Sequence, residues 1–136
     1  MVYVFDASFI GALIIPDEKN FRVDKIRADI GEEEEILVPQ LFWYEIASIF
    51  NNLIRHSRFS GGEIMQFFPH LTTIRLETDF ETGIVYSQRL LRLCSNYQLS
   101  SYDSAYLELA DRKKSALCTL DKALQAAAKK HGIMVL

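Results

Sequence analysis

Cysteine, proline, glycine and long apolar runs are all scarce in this sequence, and each scarcity removes a class of protein. The two cysteines, Cys94 and Cys118, lack the close spacing of a metal ribbon. One falls in a predicted helix and the other in a predicted strand, so both read as buried, reduced thiols. No apolar stretch approaches the roughly 18 residues that a membrane-spanning helix needs. The chain opens on a strand rather than on the basic and apolar regions of a signal peptide, and is expected to be cytoplasmic. Three prolines and six glycines form no low-complexity linker, and no internal repeat is visible. A glycine-rich phosphate loop is missing. His56, His70 and His131 share no spacing that suits a metal or an acid–base pair, and no Ser–His–Asp arrangement stands out.

Neither sign of charge dominates. Fifteen lysines and arginines against eighteen acids give a net charge of −3, which argues against a surface that grips nucleic acid everywhere. It leaves room for a site built of acids. At 136 residues, 49% hydrophobic and 24% charged, the chain suits one soluble domain over 1–136.

Val2-Tyr3-Val4-Phe5 has no polar alternation and reads as a fully buried strand. Asp6 stands at its end. Ligands of open parallel sheets bind beyond the carboxyl ends of the strands, so Asp6 either serves a site there or caps the following turn. Next come a helical turn over 9–15, ended by Pro16, and a helix over 17–30 closed by Gly31. The acidic run 32–35 reads as a solvated loop. A strand over 36–38 stops at Pro39, and an amphipathic helix spans 40–55. Ser60 and Glu63 match a capping box that opens a helix to about 68. A strand is expected over 72–76, then a second capping box, Thr78 to Glu81, opening a helix to 96. A helix begins at Ser100, a strand covers 116–120, Asp121 caps a helix over 122–130, and 133–136 forms a last strand. This alternation predicts an α/β fold around a mostly parallel sheet, with helices on both faces and strand tips at one edge.

Four acids stand out by position. Asp6 and Asp121 end strands, Asp103 lies at a helix start, and Glu45 interrupts an apolar helical face. Two carboxylates about 4 Å apart repel by around 4 kcal/mol at an effective dielectric of 20. A converging set persists only with a bound cation or with some acids protonated. Oxygen ligands without histidine or cysteine favour magnesium or manganese over zinc. Taken singly, Asp103 and Asp121 are also ordinary helix caps, and Glu45 is also readable as an exposed helical residue. Ser8 and Thr119 flank two of the acids and are candidates to orient a carboxylate or a water. Arg55, Arg58, Arg112 and Lys122 are candidate phosphate contacts, with solvated surface as the alternative for each.

Four stretches carry a resemblance over essentially the whole chain: Val4-Phe5-Asp6-Ala7-Ser8, Pro39-Gln40-Leu41 leading to Glu45, Tyr102 to Ala110 around Asp103, and Thr119-Leu120-Asp121-Lys122-Ala123-Leu124. Their order and spacing resemble PIN domains, specifically the VapC-type toxins of prokaryotic toxin–antitoxin pairs. The resemblance implies a three-layer α/β/α fold and a metal-dependent endoribonuclease. Asp6, Glu45, Asp103 and Asp121 would form its catalytic set, with Asp6, Asp103 and Asp121 holding one or two Mg2+ or Mn2+ ions. It further implies an RNA substrate, a homodimer, and a VapB-like antitoxin whose C-terminal segment blocks the catalytic groove. Phe42, Trp43, Tyr44, Phe67 and Phe68 either line that groove or pack the core.

Three rivals remain. A haloacid-dehalogenase-type phosphatase carries Asp-x-Asp, where this chain has Ser8. A phosphoryl-accepting receiver wants adjacent acids beyond the first strand, and Asp6 has none. A non-catalytic module binding a structural ion, a basic partner or RNA is not separated by sequence.

Overall fold

The apolar run at the start of the chain becomes the centre of the sheet. In the computed structural model, which describes residues 1–136, strand β1 (Val2–Phe5) lies between β2 (Glu35–Pro39) and β4 (Ala116–Cys118), and β3 (Leu76–Asp79) flanks β2. All neighbours are parallel, in the order β3-β2-β1-β4. Val4 pairs with Leu37 on one side and Leu117 on the other. Val4, Phe5, Ile36, Val38, Leu117 and Cys118 lose essentially all contact with solvent. Burial on both faces is why these strands read as continuous apolar runs.

The connecting helices are α1 (Ala7–Ile14), α2 (Phe21–Ile30), α3 (Leu41–Arg55), α4 (Gly61–Met65), α5 (Phe68–Thr72), α6 (Ile84–Tyr97), α7 (Ser101–Lys113) and α8 (Lys122–His131). Helix α7 packs on β1 and β2 and meets α6 and α8, while α1 packs with α2 and α3. The result is the expected three-layer α/β/α domain. No helix is long and apolar enough to cross a membrane.

Several boundaries differ from the sequence reading, each for a local reason. The helix expected over 17–30 is divided: Pro16–Glu18 makes one 3-10 turn, and Asn20 then caps α2 by accepting the amide protons of Arg22 and Val23. The Ser60–Glu63 capping box is present, but α4 ends at Met65 and a separate turn, α5, begins beside Pro69. The strand expected over 72–76 is displaced to Leu76–Asp79. The hydroxyls of Thr72 and Thr73 donate back to the carbonyls of Pro69 and His70, holding those residues helical. The second capping box does not form. Thr78 and Asp79 pair with Val38 and Pro39, and α6 starts only after Gly83, whose φ of 101° favours glycine. The last strand shrinks to a single bridge between Leu117 and Val135.

Candidate active site

Chain direction brings the four acids to one edge. Strands β1 and β4 end beside each other, so Asp6 and Asp121 follow adjacent tips. Helices α7 and α8 begin at that edge, with Asp103 in the first turn of α7 and Asp121 as the N-cap of α8. Glu45 reaches in from the second turn of α3, which follows β2.

Asp6 is the fixed point. It is only 5% exposed. Its Oδ1 accepts the Phe9 amide proton at 2.9 Å, capping α1, and the Ser8 hydroxyl at 2.7 Å. Its Oδ2 accepts the Thr119 hydroxyl. The same two hydroxyls bind the loop after β4: Ser8 Oγ accepts from the Leu120 amide at 3.0 Å, and Thr119 Oγ1 from the Asp121 amide at 3.0 Å. Ser8 and Thr119 thus lock the two strand tips together around Asp6. The capping and site readings of Asp6 and Asp121 turn out to be compatible, since Asp121 Oδ1 caps α8 through the Leu124 amide at 2.9 Å.

Electrostatics set these acids apart. Burial pushes the Asp6 carboxyl up, against the lowering effect of its three hydrogen bonds, and the Asp121 charge adds to the rise. Asp103 is raised by burial and by Asp121. Glu45 is raised by burial and by the charges of Asp6 and Asp103, partly offset by the Tyr106 hydroxyl. No lysine, arginine or histidine forms an ion pair with any of the four. Ser100 accepts the Asp103 amide proton at 3.1 Å, and its hydroxyl partly offsets the rise of the Asp103 carboxyl.

As they stand, no three acids are grouped closely enough to share one ion directly. A hard cation such as magnesium commonly takes only one or two carboxylates and keeps several waters. The donor set is all oxygen. The one nearby sulfur, Cys118, is buried, with its thiol pushed up to about 12 by burial and by Asp6.

One residue of the site escaped the sequence reading. Tyr106, 2% exposed, donates its hydroxyl to Glu45 Oε1 at 2.5 Å. Burial and the Glu45 charge push the phenol up, so it stays a donor. Its signal was its spacing: Tyr106 lies three residues after Asp103, on the same face of α7.

Other candidates part from the site. Arg112 does not serve as a free phosphate contact. It is consumed by Asp79, at 3.0 and 2.6 Å, and by Glu108, at 2.8 and 3.1 Å. Arg58 is likewise tied to Asp17 and Glu18. Arg55 and Lys122 are exposed. Among the aromatics, Phe42 and Phe67 are core residues, whereas Trp43, Tyr44 and Phe68 reach solvent.

Comparison with known proteins agrees with this geometry. The sequence profile of the PIN domain matches residues 3–130. The chain is 26% identical over 127 residues to Ribonuclease VapC3 of Pyrobaculum aerophilum, covering 91% of this chain and 92% of that protein. Its fold superposes on a crystal structure of PAE2754 from Pyrobaculum aerophilum with a TM-score of 0.72, at 22% identity over 99% of this chain and 83% of that one. It also superposes on VapBC2 from Rickettsia felis bound to a promoter DNA fragment, with a TM-score of 0.69 at 11% identity, covering 100% and 98%. A toxin–antitoxin complex from Klebsiella pneumoniae gives a TM-score of 0.59 at 14% identity, covering 88% and 86%.

Proposed function

Because the chain belongs to the PIN domain family, we propose that it is an endoribonuclease of the VapC type, the toxin of a toxin–antitoxin pair, dependent on Mg2+ or Mn2+. The observation that carries this reading is the set of four carboxylates at one sheet edge, none of them in an ion pair with a basic side chain, with Asp6, Glu45 and Asp103 raised by burial and by neighbouring acids. No basic side chain pairs with them, so their charge is balanced by protons when the site is empty and by a cation when one is bound.

Asp6, Asp103 and Asp121 would hold the ion, directly or through its waters. When bound, a divalent cation lowers the pKa of a water and offsets charge on the scissile phosphate. The chain's own residues do the rest. Ser8 and Thr119 keep Asp6 from turning away, since each hydroxyl is anchored at both ends. Tyr106 holds one oxygen of Glu45 and leaves the other free. Glu45, half-buried and shifted upward, is placed to accept a proton from the attacking water, because a base works best with a pKa nearer the operating pH.

The partner assignment follows the same line. Structural neighbours include VapBC2 and the toxin–antitoxin complex from Klebsiella pneumoniae. A VapB-like antitoxin closing the acidic edge with a C-terminal segment fits a site whose rim exposes Tyr44, Tyr102 and Leu120. A homodimer is part of this reading, supported by the apolar residues that α6 leaves exposed, Ile84, Val85 and Leu91. The test is incubation of the purified, antitoxin-free protein with transfer, ribosomal and messenger RNA in Mn2+. Cleavage of at least one class is expected, and cleavage of none overturns the proposal.

A further inference from the structure

Net charge conceals a division of the chain. Residues 1–85 hold seven lysines and arginines against fourteen acids, whereas residues 86–136 hold eight against four. Two of those four acids are Asp103 and Asp121, already placed in the catalytic edge. The surplus of positive charge therefore belongs to α6, α7 and α8.

Four of those eight basic side chains meet at one place. A cleft of about 340 Å³ opens between these helices, lined by Arg89, Arg92, Arg112, Lys114 and His131. Helices α7 and α8 both begin at the acidic edge and end at this cleft. Nine residues separate Asp103 from Arg112, so at 1.5 Å per residue the cleft lies about 14 Å from the acids along α7.

Basic residues at helix C-termini commonly just complement the helix dipole. That accounts for Arg112, Lys113, Lys129 and Lys130. It does not account for Arg89 and Arg92, which rise from the middle of α6. The internal acids have their own tasks. Glu108, 3% exposed, is shared by Arg89 and Arg112 and fixes both guanidiniums in the wall. Asp111 meets Lys114 at 3.7 Å and His131 at 3.3 Å, while Tyr97 holds the other ring nitrogen of His131 at 2.7 Å. Arg92 forms no ion pair and is exposed, and Lys114 is 83% exposed beside its single acid. Glu81 also pairs with Arg89 and Arg112, and Asp79 with Arg112, so the uncommitted positive charge of the cleft is that of Arg92, with the exposed Lys114 beside it.

We propose that this cleft is a second RNA-binding site, holding backbone phosphates of the strand whose scissile bond lies at the acidic edge. The proposal rests on the ribonuclease reading and adds a length requirement to it. A stacked strand advances about 3.4 Å per nucleotide, so about four nucleotides span the distance. RNAs much shorter than that reach only one of the two sites.

The test compares wild type with R92E/K114E, binding fluorescent RNAs of 2 and 16 nucleotides in EDTA, by anisotropy at several salt concentrations. Thermal melting confirms that the variant is folded. The expected result is an approximately tenfold weaker Kd for the 16-mer in the variant. Its salt slope should also be shallower, by about 0.7 for each phosphate that the variant no longer neutralises. The advantage of the 16-mer over the 2-mer shrinks accordingly. Equal 16-mer binding by the two proteins overturns the proposal. So does loss of poly-glutamate binding without loss of RNA binding, which would mark the cleft as a site for an acidic protein. Because EDTA removes cleavage from the readout, failure here is distinct from failure of the ribonuclease reading.

Discussion

The acidic edge makes an unusual prediction for Asp6→Asn: with chelator present, removing a carboxylate of the proposed catalytic set stabilises the protein. The sign follows from linkage. A carboxyl whose pKa is raised on folding binds its proton more tightly in the folded state, so stability falls as pH rises through the window between its unfolded and folded values. Asp6 is raised chiefly by burial, with Asp121 adding to it. The full cost is present at pH above the folded value, and a tenfold shift in proton affinity corresponds to about 1.4 kcal/mol. Asparagine keeps the contacts of Oδ1 with Phe9 and Ser8 and disturbs the one with Thr119. A hydrogen bond to a charged group is worth about 1.5–3 kcal/mol, but the upward shift of Asp6 already reflects burial outweighing its hydrogen bonds. The net gain expected is about 1 kcal/mol, or about 3–5 °C in Tm for a domain of this size. With Mg2+ at a hundred times its Kd, the wild type gains about 2.7 kcal/mol from binding. The variant gains much less, so the order of stability reverses. Differential scanning fluorimetry in EDTA and in Mg2+ reads both effects. A variant less stable than wild type under both conditions would refute the reasoning, showing that the hydrogen bonds of Asp6 outweigh the crowding of charge.

Three further outcomes follow from the side-chain geometry. Tyr106→Phe removes the only protein donor to Glu45; stability should drop by about 1 kcal/mol in urea denaturation, and kcat should fall about tenfold with KM little changed. Glu108→Ala leaves Arg89 and Arg112 facing each other without their shared carboxylate. Breaking a buried ion pair costs about 3–5 kcal/mol, and the part-exposed arginines place the expected loss near the low end, read as a shift in the urea midpoint. Ser60→Ala removes the capping box of α4, expected to cost about 1 kcal/mol in thermal melting with RNA cleavage unaffected.

What was legible in the sequence depended on how strongly local chemistry agreed with the fold. Strand β1 and the end of β4 declared themselves because burial on both faces leaves no polar residue in Val4-Phe5 or Ala116-Leu117-Cys118. The acids Asp6 and Asp121 were visible for the same reason, Asp6 standing directly after the first run and Asp121 three residues after the second. Strand β3 was not. Leu-Glu-Thr-Asp has little intrinsic strand character and is held by pairing with β2, so tertiary context overrode a plausible helix-start pattern. Asp79 was misread with it, because its partner Arg112 lies 33 residues away. Glu108 carried no local signal either. An acid inside Leu107-Glu108-Leu109 looks like the polar side of a helix, and only the approach of two arginines from α6 and α7 explains its burial. The aromatic stretch at the start of α3 divided by helical phase, with Phe42 inward and Trp43 and Tyr44 outward. Trp43 is held by a bond to Thr78 at 2.8 Å that a local reading does not supply.

The most direct test of the catalytic account is the chemistry of the RNA ends produced by wild type and by Asp103→Asn, with and without Mg2+ or Mn2+. Water as the nucleophile predicts 5′-phosphate and 3′-hydroxyl ends that require the metal and vanish in the variant. Cuts that survive chelation and leave 2′,3′-cyclic phosphates would mean that the RNA's own 2′-hydroxyl attacks, contradicting the role assigned to the four acids.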